Sequence, residues 1–159
     1  MKPLSFAQIF PGGDLYHRVR ANFERLHGEE FRLDRVFMPD NYDWPGDNEG
    51  RTMLALALTS QAVHAEPEHL EQILRKVPER LNEKGYFGKI LPEGVFDEQQ
   101  LSGNSWYLRS QVELYLWKRE ERFLERIRSV VNHLLLPARG HYRNYPCLPE
   151  ERVVGGEAA

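Results

Sequence analysis

The chain alternates between segments that are apolar on every side and segments with a single apolar stripe. Residues 51–64 leave no polar face on a helix, which is typical of a buried helix, and they are too few to span a bilayer. Residues 104–117 spread their large apolar side chains in the same way. We therefore predict two buried helices. The side chains expected to be almost fully buried in them are Met53, Leu54, Leu58, Val112 and Leu116.

Three other segments have an apolar stripe at helical spacing, as expected for amphipathic helices that cover a core. The first stripe is Leu15, Val19, Phe23 and Leu26; the second is Leu70, Ile73, Leu74, Val77 and Leu81; the third is Phe123, Leu124, Ile127, Val130, Val131, Leu134 and Leu135. Pro78 predicts a kink or an early end in the second. On the polar faces we expect Arg75, Glu79, Arg122 and Glu125 to be exposed.

The order of elements repeats once along the chain. A polar loop, a buried helix, a tight turn and an amphipathic helix end at Gly85-Tyr86, and the same series ends at Gly140-His141-Tyr142, about 55 residues later. A repeat of this size indicates stacked helical hairpins, so the predicted class is all-α. Two antiparallel helices return the chain to its starting end. The loops 40–50 and 92–105, which precede the buried helices, should therefore lie on one rim.

Composition narrows the possible functions. The 159 residues carry a net charge of −3 without a basic run, which argues against nucleic acid as a partner. The six histidines are scattered and Cys147 is the only cysteine, so no metal site is predicted. The N-terminus lacks the apolar region of a signal peptide. The sequence therefore favours a single domain over 1–159 in the cytoplasm, with no contact with a membrane.

Three sequence blocks resemble the N-terminal part of beta-L-arabinofuranosidase-like glycoside hydrolases. They are the blocks WPGDNEGR at 44–51, GYFG at 85–88 and DEQQLSGNSW at 97–106. The resemblance covers the chain from about Asp14 onward. It implies part of an α/α toroid of the six-hairpin glycosidase type, and a carbohydrate as the partner.

The resemblance also implies that the chemistry lies elsewhere. Characterised members use a zinc-bound cysteine nucleophile and a glutamate acid/base, from a part of the family's chain that would follow Ala159. Cys147 lies outside that motif, so no catalytic residue and no zinc ligand is assigned. We expect an incomplete toroid that is inactive alone, and either self-association or a missing C-terminal part that covers an apolar edge. The alternative is a non-catalytic helical module that binds carbohydrate or protein.

The rim loops supply the candidate substrate-binding residues. An aromatic face suits the C–H face of a sugar, and carboxylates and amides bind its hydroxyl groups. Structural roles remain open beside this one, because Asp47 and Glu49 can cap a helix and either tryptophan can belong to the core. The candidates are Trp44, Asp47, Asn48, Glu49, Gln99, Asn104 and Trp106.

Overall fold

The structure is a computed structural model that describes Leu4, residues 8–140 and the backbone of Val153–Val154 and Glu157–Ala158. Its helices are α1 (Gly13–Arg25), α2 (Leu33–Val36), α3 (Asp47–Val63), α4 (Leu70–Lys76), α5 (Glu98–Lys118) and α6 (Glu121–Val130). Short 3-10 turns lie at Glu29–Phe31 and Val77–Glu79, and a π-helical turn at Val131–Leu135 extends α6. The two strands, β1 (Val153–Val154) and β2 (Glu157–Ala158), form one antiparallel pair. The predicted helical class is confirmed over the described part of the chain.

The two long helices α3 and α5 lie side by side and run parallel. Gly50 lies against Tyr107, and one turn further along Nε2 of Gln111 is 3.8 Å from the sulfur of Met53. Because the contact positions advance together on both helices, the helices point the same way. Their separation is set by Gly50, where an added Cβ would lie 2.3 Å from the Tyr107 nitrogen. Only glycine permits so close an approach.

The shorter helices α4 and α6 are also parallel to each other. The guanidinium of Arg122 on α6 binds both carboxylate oxygens of Glu71 on α4, at 3.1 and 3.0 Å. One turn further along, Arg126 donates to the Leu74 carbonyl at 3.2 Å and approaches Oε1 of Gln111 on α5 at 3.5 Å. The α4 and α6 pair is thereby tied to α5.

The core lies between these helices, and it confirms two of the five burial predictions. Met53 and Leu54 are buried, as predicted, whereas Leu58 and Val112 are only half-buried. The prediction for Leu116 is wrong, since this side chain is 50% exposed. The completely buried members of the core are Val36, Met53, Leu56, Ala57, Ile73, Leu74, Val77, Tyr107, Leu114, Phe123, Val130 and Ala138.

The error at Leu116 has a simple geometric cause. Tyr107, Gln111 and Leu114 form the buried stripe of α5, and α3 and α6 are its main neighbours among the described helices. Leu116 is on a different face of the helix. Helix α5 is therefore apolar on several faces but is not buried on all of them.

Predictions for the charged residues and the helix ends were mostly right. Arg75, Glu79 and Glu125 are exposed, but Arg122 is half-buried because its guanidinium binds Glu71. Helix α4 ends at Lys76, and a 3-10 turn containing Pro78 follows it, so the predicted early end is confirmed. No helix in the described residues combines the length and apolarity needed to cross a membrane.

Candidate functional site

Three adjoining cavities open beside the loops that precede α3 and α5. The first, of about 310 Å³, lies between residues 38–45 and 79–89. The second, of about 140 Å³, lies between 40–45, 88–91 and the start of α5. The third, of about 470 Å³, lies between 91–97 and 133–137. Neighbouring cavities share lining residues, so together they form one groove, called here the end groove.

Asn104 holds the segments around the end groove together. Its Oδ1 accepts the Phe87 N–H at 2.9 Å. Its Nδ2 lies within hydrogen-bond distance of the carbonyls of Phe87, Gln100 and Pro45, at 3.0, 2.9 and 3.3 Å. The side chain is completely buried. One amide therefore fixes the loop before α3 and the loop after α4 onto α5.

Gly103 makes this contact possible on the α5 side. A Cβ at Gly103 would lie 2.4 Å from the Pro45 carbonyl oxygen, so any side chain there would push the loop away. The Pro45 bond to Asn104 confirms that the loops 40–50 and 92–105 share one end of the molecule.

Glu49 lies at the first cavity with one oxygen of its carboxyl unpaired. The residue is only 2% exposed and lines that cavity. The Met38 N–H donates to Oε1 at 2.9 Å, whereas Oε2 is buried and has no hydrogen-bond partner. Burial raises the pKa of this carboxyl, and the backbone amides of Met38, Glu49 and Gly46 together with the charge of Arg80 oppose the rise only in part.

Arg80 closes one side of the same cavity. Its guanidinium donates to the Met38 carbonyl at 2.8 Å and to Oδ1 of Asp40 at 3.0 Å. These bonds tie the segment 38–40 to the residues that follow α4. Tyr42, half-exposed, and Lys89, exposed, line both the first and the second cavity. This stretch of the groove therefore presents an aromatic ring, carboxylates and two cations.

Asp97 and Gln100 connect the second and third cavities. Both are buried and line both spaces. Oδ1 of Asp97 accepts the Gln99 N–H at 2.9 Å and so caps α5. Nε2 of Gln100 donates to the Lys89 carbonyl at 2.7 Å. These side chains hold the backbone of the groove in place as well as lining it.

Glu49 is the one predicted substrate-binding residue that lines these cavities. Asp47 accepts a hydrogen bond from Nε of Arg51 at 2.9 Å. The Arg51 guanidinium carbon lies 4.1 Å from the centroid of the Trp106 ring. Asn48 donates to the Val36 carbonyl at 2.7 Å. The candidates that do not line the three cavities are Trp44, Asp47, Asn48, Gln99, Asn104 and Trp106. A role of these residues in binding sugar remains a prediction.

The sequence analysis missed Tyr42, Arg80 and Lys89. Tyr42 belongs to the rim loop 40–50, so its position was available, but no spacing distinguished it from its neighbours. Arg80 and Lys89 follow α4. The rule that two antiparallel helices return the chain to one end would have placed this third segment beside the two rim loops.

No metal site was predicted for this chain, because the zinc ligands of the resembled family would come from a part that follows Ala159. No three His, Cys, Asp or Glu side chains in this part of the chain are grouped closely enough to hold a metal ion. Cys147 lies outside the described residues.

Comparison with known protein families, with curated proteins and with solved structures found no match to this chain. The function proposed next therefore depends on the groove and on the sequence resemblance.

Proposed function

We propose that this chain is the carbohydrate-binding N-terminal part of a glycoside hydrolase similar to the beta-L-arabinofuranosidases, and that sugar binds in the end groove. In this proposal α3 with α4 and α5 with α6 are two consecutive helical hairpins of an α/α toroid. The observation that carries the proposal is the parallel pairing of α3 with α5, because it brings both pre-helix loops to one polar groove.

The chemistry of the groove suits a polyhydroxylated ligand. The half-exposed ring of Tyr42 offers an apolar face, and Asp40, Asp43 and Lys89 offer an acceptor or donor for hydroxyl groups. Ligand sites commonly combine a concave apolar surface with a few well-placed polar groups. An arabinofuranoside or a related plant or microbial glycan meets these requirements.

A non-catalytic binding module is the second candidate. Glycoside hydrolysis by two carboxyl groups needs both of them placed across the bond. Asp97, the second buried carboxyl of the groove, already caps α5. This engagement favours binding over hydrolysis by the chain itself.

Titration of the purified chain with arabino-oligosaccharides, followed by calorimetry and NMR, tests the proposal. We expect saturable binding that Tyr42→Ala weakens by about two- to tenfold, since a stacked ring contributes about 0.5–1.5 kcal/mol. Tyr16→Ala is the matched control, because Tyr16 is also half-buried but lies on α1. Absence of binding to any saccharide, or equal loss in the control, would refute the proposal.

The same sample tests for hydrolysis. We expect no turnover of an aryl arabinofuranoside, because no nucleophile and acid/base pair is assigned in the chain. Turnover that disappears in Glu49→Gln or Asp97→Asn would place the chemistry in the end groove and contradict this expectation.

A further inference from the structure

Gln100 lies where the second and third cavities of the end groove meet. It lines both of these spaces, as do Leu91 and Asp97. The residue belongs to the first turn of α5 and is only 4% exposed. A ligand that extends from one cavity into the other therefore passes this side chain.

The amide nitrogen of Gln100 is turned toward the protein backbone. Nε2 donates to the Lys89 carbonyl at 2.7 Å and to the Phe87 carbonyl at 3.4 Å. Because carbonyl oxygens only accept hydrogen bonds, the nitrogen and not the oxygen of the amide must face them. Gly88 lies against the same nitrogen, since an added Cβ there would be 2.6 Å from Nε2. The amide is thereby fixed in one orientation.

The amide oxygen of Gln100 is the end of the side chain that remains for a ligand. Oε1 makes no hydrogen bond to the described residues, and it is not among their unpaired side-chain atoms that are closed off from solvent. It therefore keeps a surface in contact with solvent, unlike Oε2 of Glu49. An acceptor that is already held in place loses little side-chain freedom when a ligand binds to it.

Support of the backbone explains only one end of this amide. Nε2 ties the segment 87–89 to α5, and a hydrogen-bond donor alone would be enough for that role. The role leaves Oε1 unused at the place where the two cavities join.

We propose that Gln100 is a specificity-determining residue of the end groove: its Oε1 accepts a hydrogen bond from a hydroxyl group of a saccharide that extends from the second cavity into the third. This inference rests on the proposed function and adds to it the position of the ligand and the polarity of one contact. The saccharide must carry a free hydroxyl group at that point, because an acceptor requires a donor.

Replacement of single hydroxyl groups of the ligand tests this contact without any change to the protein. Arabinotriose and its analogues with one hydroxyl group replaced by fluorine, which cannot donate a hydrogen bond, are titrated into the wild-type chain by calorimetry. The analogue that lacks the recognised hydroxyl group should bind about two- to tenfold more weakly than arabinotriose. Gln100→Met has no comparable acceptor, so it should bind arabinotriose and that analogue equally.

A matched variant separates recognition of the ligand from support of the backbone. Gln61 is also a buried helical glutamine whose Nε2 donates to a backbone carbonyl, that of Ala57, at 3.1 Å, but it lies near the other end of α3. Gln61→Met should therefore keep the wild-type discrimination between arabinotriose and the analogue. If Gln100→Met weakened arabinotriose and every analogue by the same factor, the role of Gln100 would be structural and the inference would be overturned.

NMR of the wild-type chain gives a readout that needs no variant. Saturation with arabinotriose should shift the side-chain carbonyl signal of Gln100. It should also shift signals of Tyr42, at the second cavity, and of Leu134, which lines only the third. An unchanged Gln100 signal, or shifts at only one of the two cavities, would overturn the inference and leave the proposed function intact. A wild-type chain that binds no saccharide would overturn both.

Discussion

At the scale of single residues, Asn104 joins the backbone segments around the end groove through four hydrogen bonds. Its amide bonds backbone groups of residues that lie on both sides of the groove, Phe87 and Pro45, and is completely buried. Removal of the amide would leave a buried N–H and buried carbonyls without partners.

Asn104→Ala should therefore destabilise the fold by about 2–4 kcal/mol, because several buried groups lose their bonds at once. Urea unfolding followed by circular dichroism measures the change. Ser105→Ala is the neighbouring control, since Ser105 is exposed, and its effect should stay within about 0.5 kcal/mol. Equal stability of both variants would show that the Asn104 bonds contribute little.

The same residue shows where sequence reasoning fails at this scale. The sequence placed Asn104 correctly on the shared rim, but an amide before a buried helix suits a ligand or a backbone equally well. In the structure the amide binds the backbone, at the carbonyls of Pro45 and Phe87, which are far away in sequence. Long-range hydrogen bonds of this kind leave no periodic signal.

At the scale of helices, Gly50 sets the distance between α3 and α5. Glycine within a helix ordinarily costs about 0.5–1 kcal/mol relative to alanine, so an alanine would normally stabilise α3. Here an added Cβ would lie 2.3 Å from a backbone nitrogen of α5, and backbone cannot move aside as a flexible side chain can.

Gly50→Ala should thus destabilise the protein by about 1–3 kcal/mol, in line with overpacking of a core. Thermal unfolding provides the measurement. Gly12→Ala is the matched control, because Gly12 lies just before α1 at negative φ and its Cβ would meet nothing within 4 Å. If Gly50→Ala raised the melting temperature, the close approach of the two helices would be refuted.

A second prediction concerns the contact between α4 and α6. The hydrogen bonds from Arg122 lower the pKa of Glu71 from its ordinary value of 4.5. A lowered folded-state pKa stabilises the fold above that ordinary value, and the contribution is lost as pH falls through the folded-state pKa. The Glu71 side chain is 45% exposed, so solvent screening keeps the contribution small.

Arg122→Gln should accordingly lower the free energy of unfolding by less than about 1 kcal/mol at neutral pH. The difference from the wild type should shrink at about pH 3, where Glu71 is increasingly protonated. Parallel urea titrations at the two pH values measure it. Arg128→Gln, which removes an exposed pair with Glu121, is the control, and a constant difference across pH would contradict the assignment.

The helices themselves were largely predictable because apolar periodicity is a local property. The stripes around Leu70 and Phe123 gave α4 and α6, and the all-round apolar segments gave α3 and α5. The burial prediction for Leu116 was wrong because periodicity shows which residues share a helix face, and not whether a neighbouring element covers that face. The place of Arg80 and Lys89 in the groove was not predicted, because it depends on how α4 packs.

At the scale of the whole molecule, several large apolar side chains remain in contact with solvent. Leu116 and Leu136 are 50% and 53% exposed, and Leu15 on α1 is 61% exposed. Val112, one helical turn before Leu116, is half-buried. Burial of one such side chain contributes about 1.5–3 kcal/mol, so the α5 face can drive association between chains.

We expect the purified chain to self-associate through this face and to bind a hydrophobic dye. Leu116→Gln should shift sedimentation profiles toward the monomer, whereas Leu15→Gln, an equally conservative change on α1, should leave them unchanged. A wild-type chain that sediments as a monomer and binds no dye would contradict this expectation.

The parallel arrangement of α3 and α5 also affects how the chain folds. The contact between Gly50 and Tyr107 joins positions separated by 57 residues (107 − 50), and closing a loop of that length costs roughly 3–4 kcal/mol of chain entropy. Only Arg119 and Glu120 separate α5 from α6, so their pairing is almost free of this cost. Contacts that are distant in sequence slow folding. In pulse-labelled hydrogen exchange, we therefore expect the amides of α6 to gain protection before the Phe87 amide, and the ligand groove to be among the last features that form.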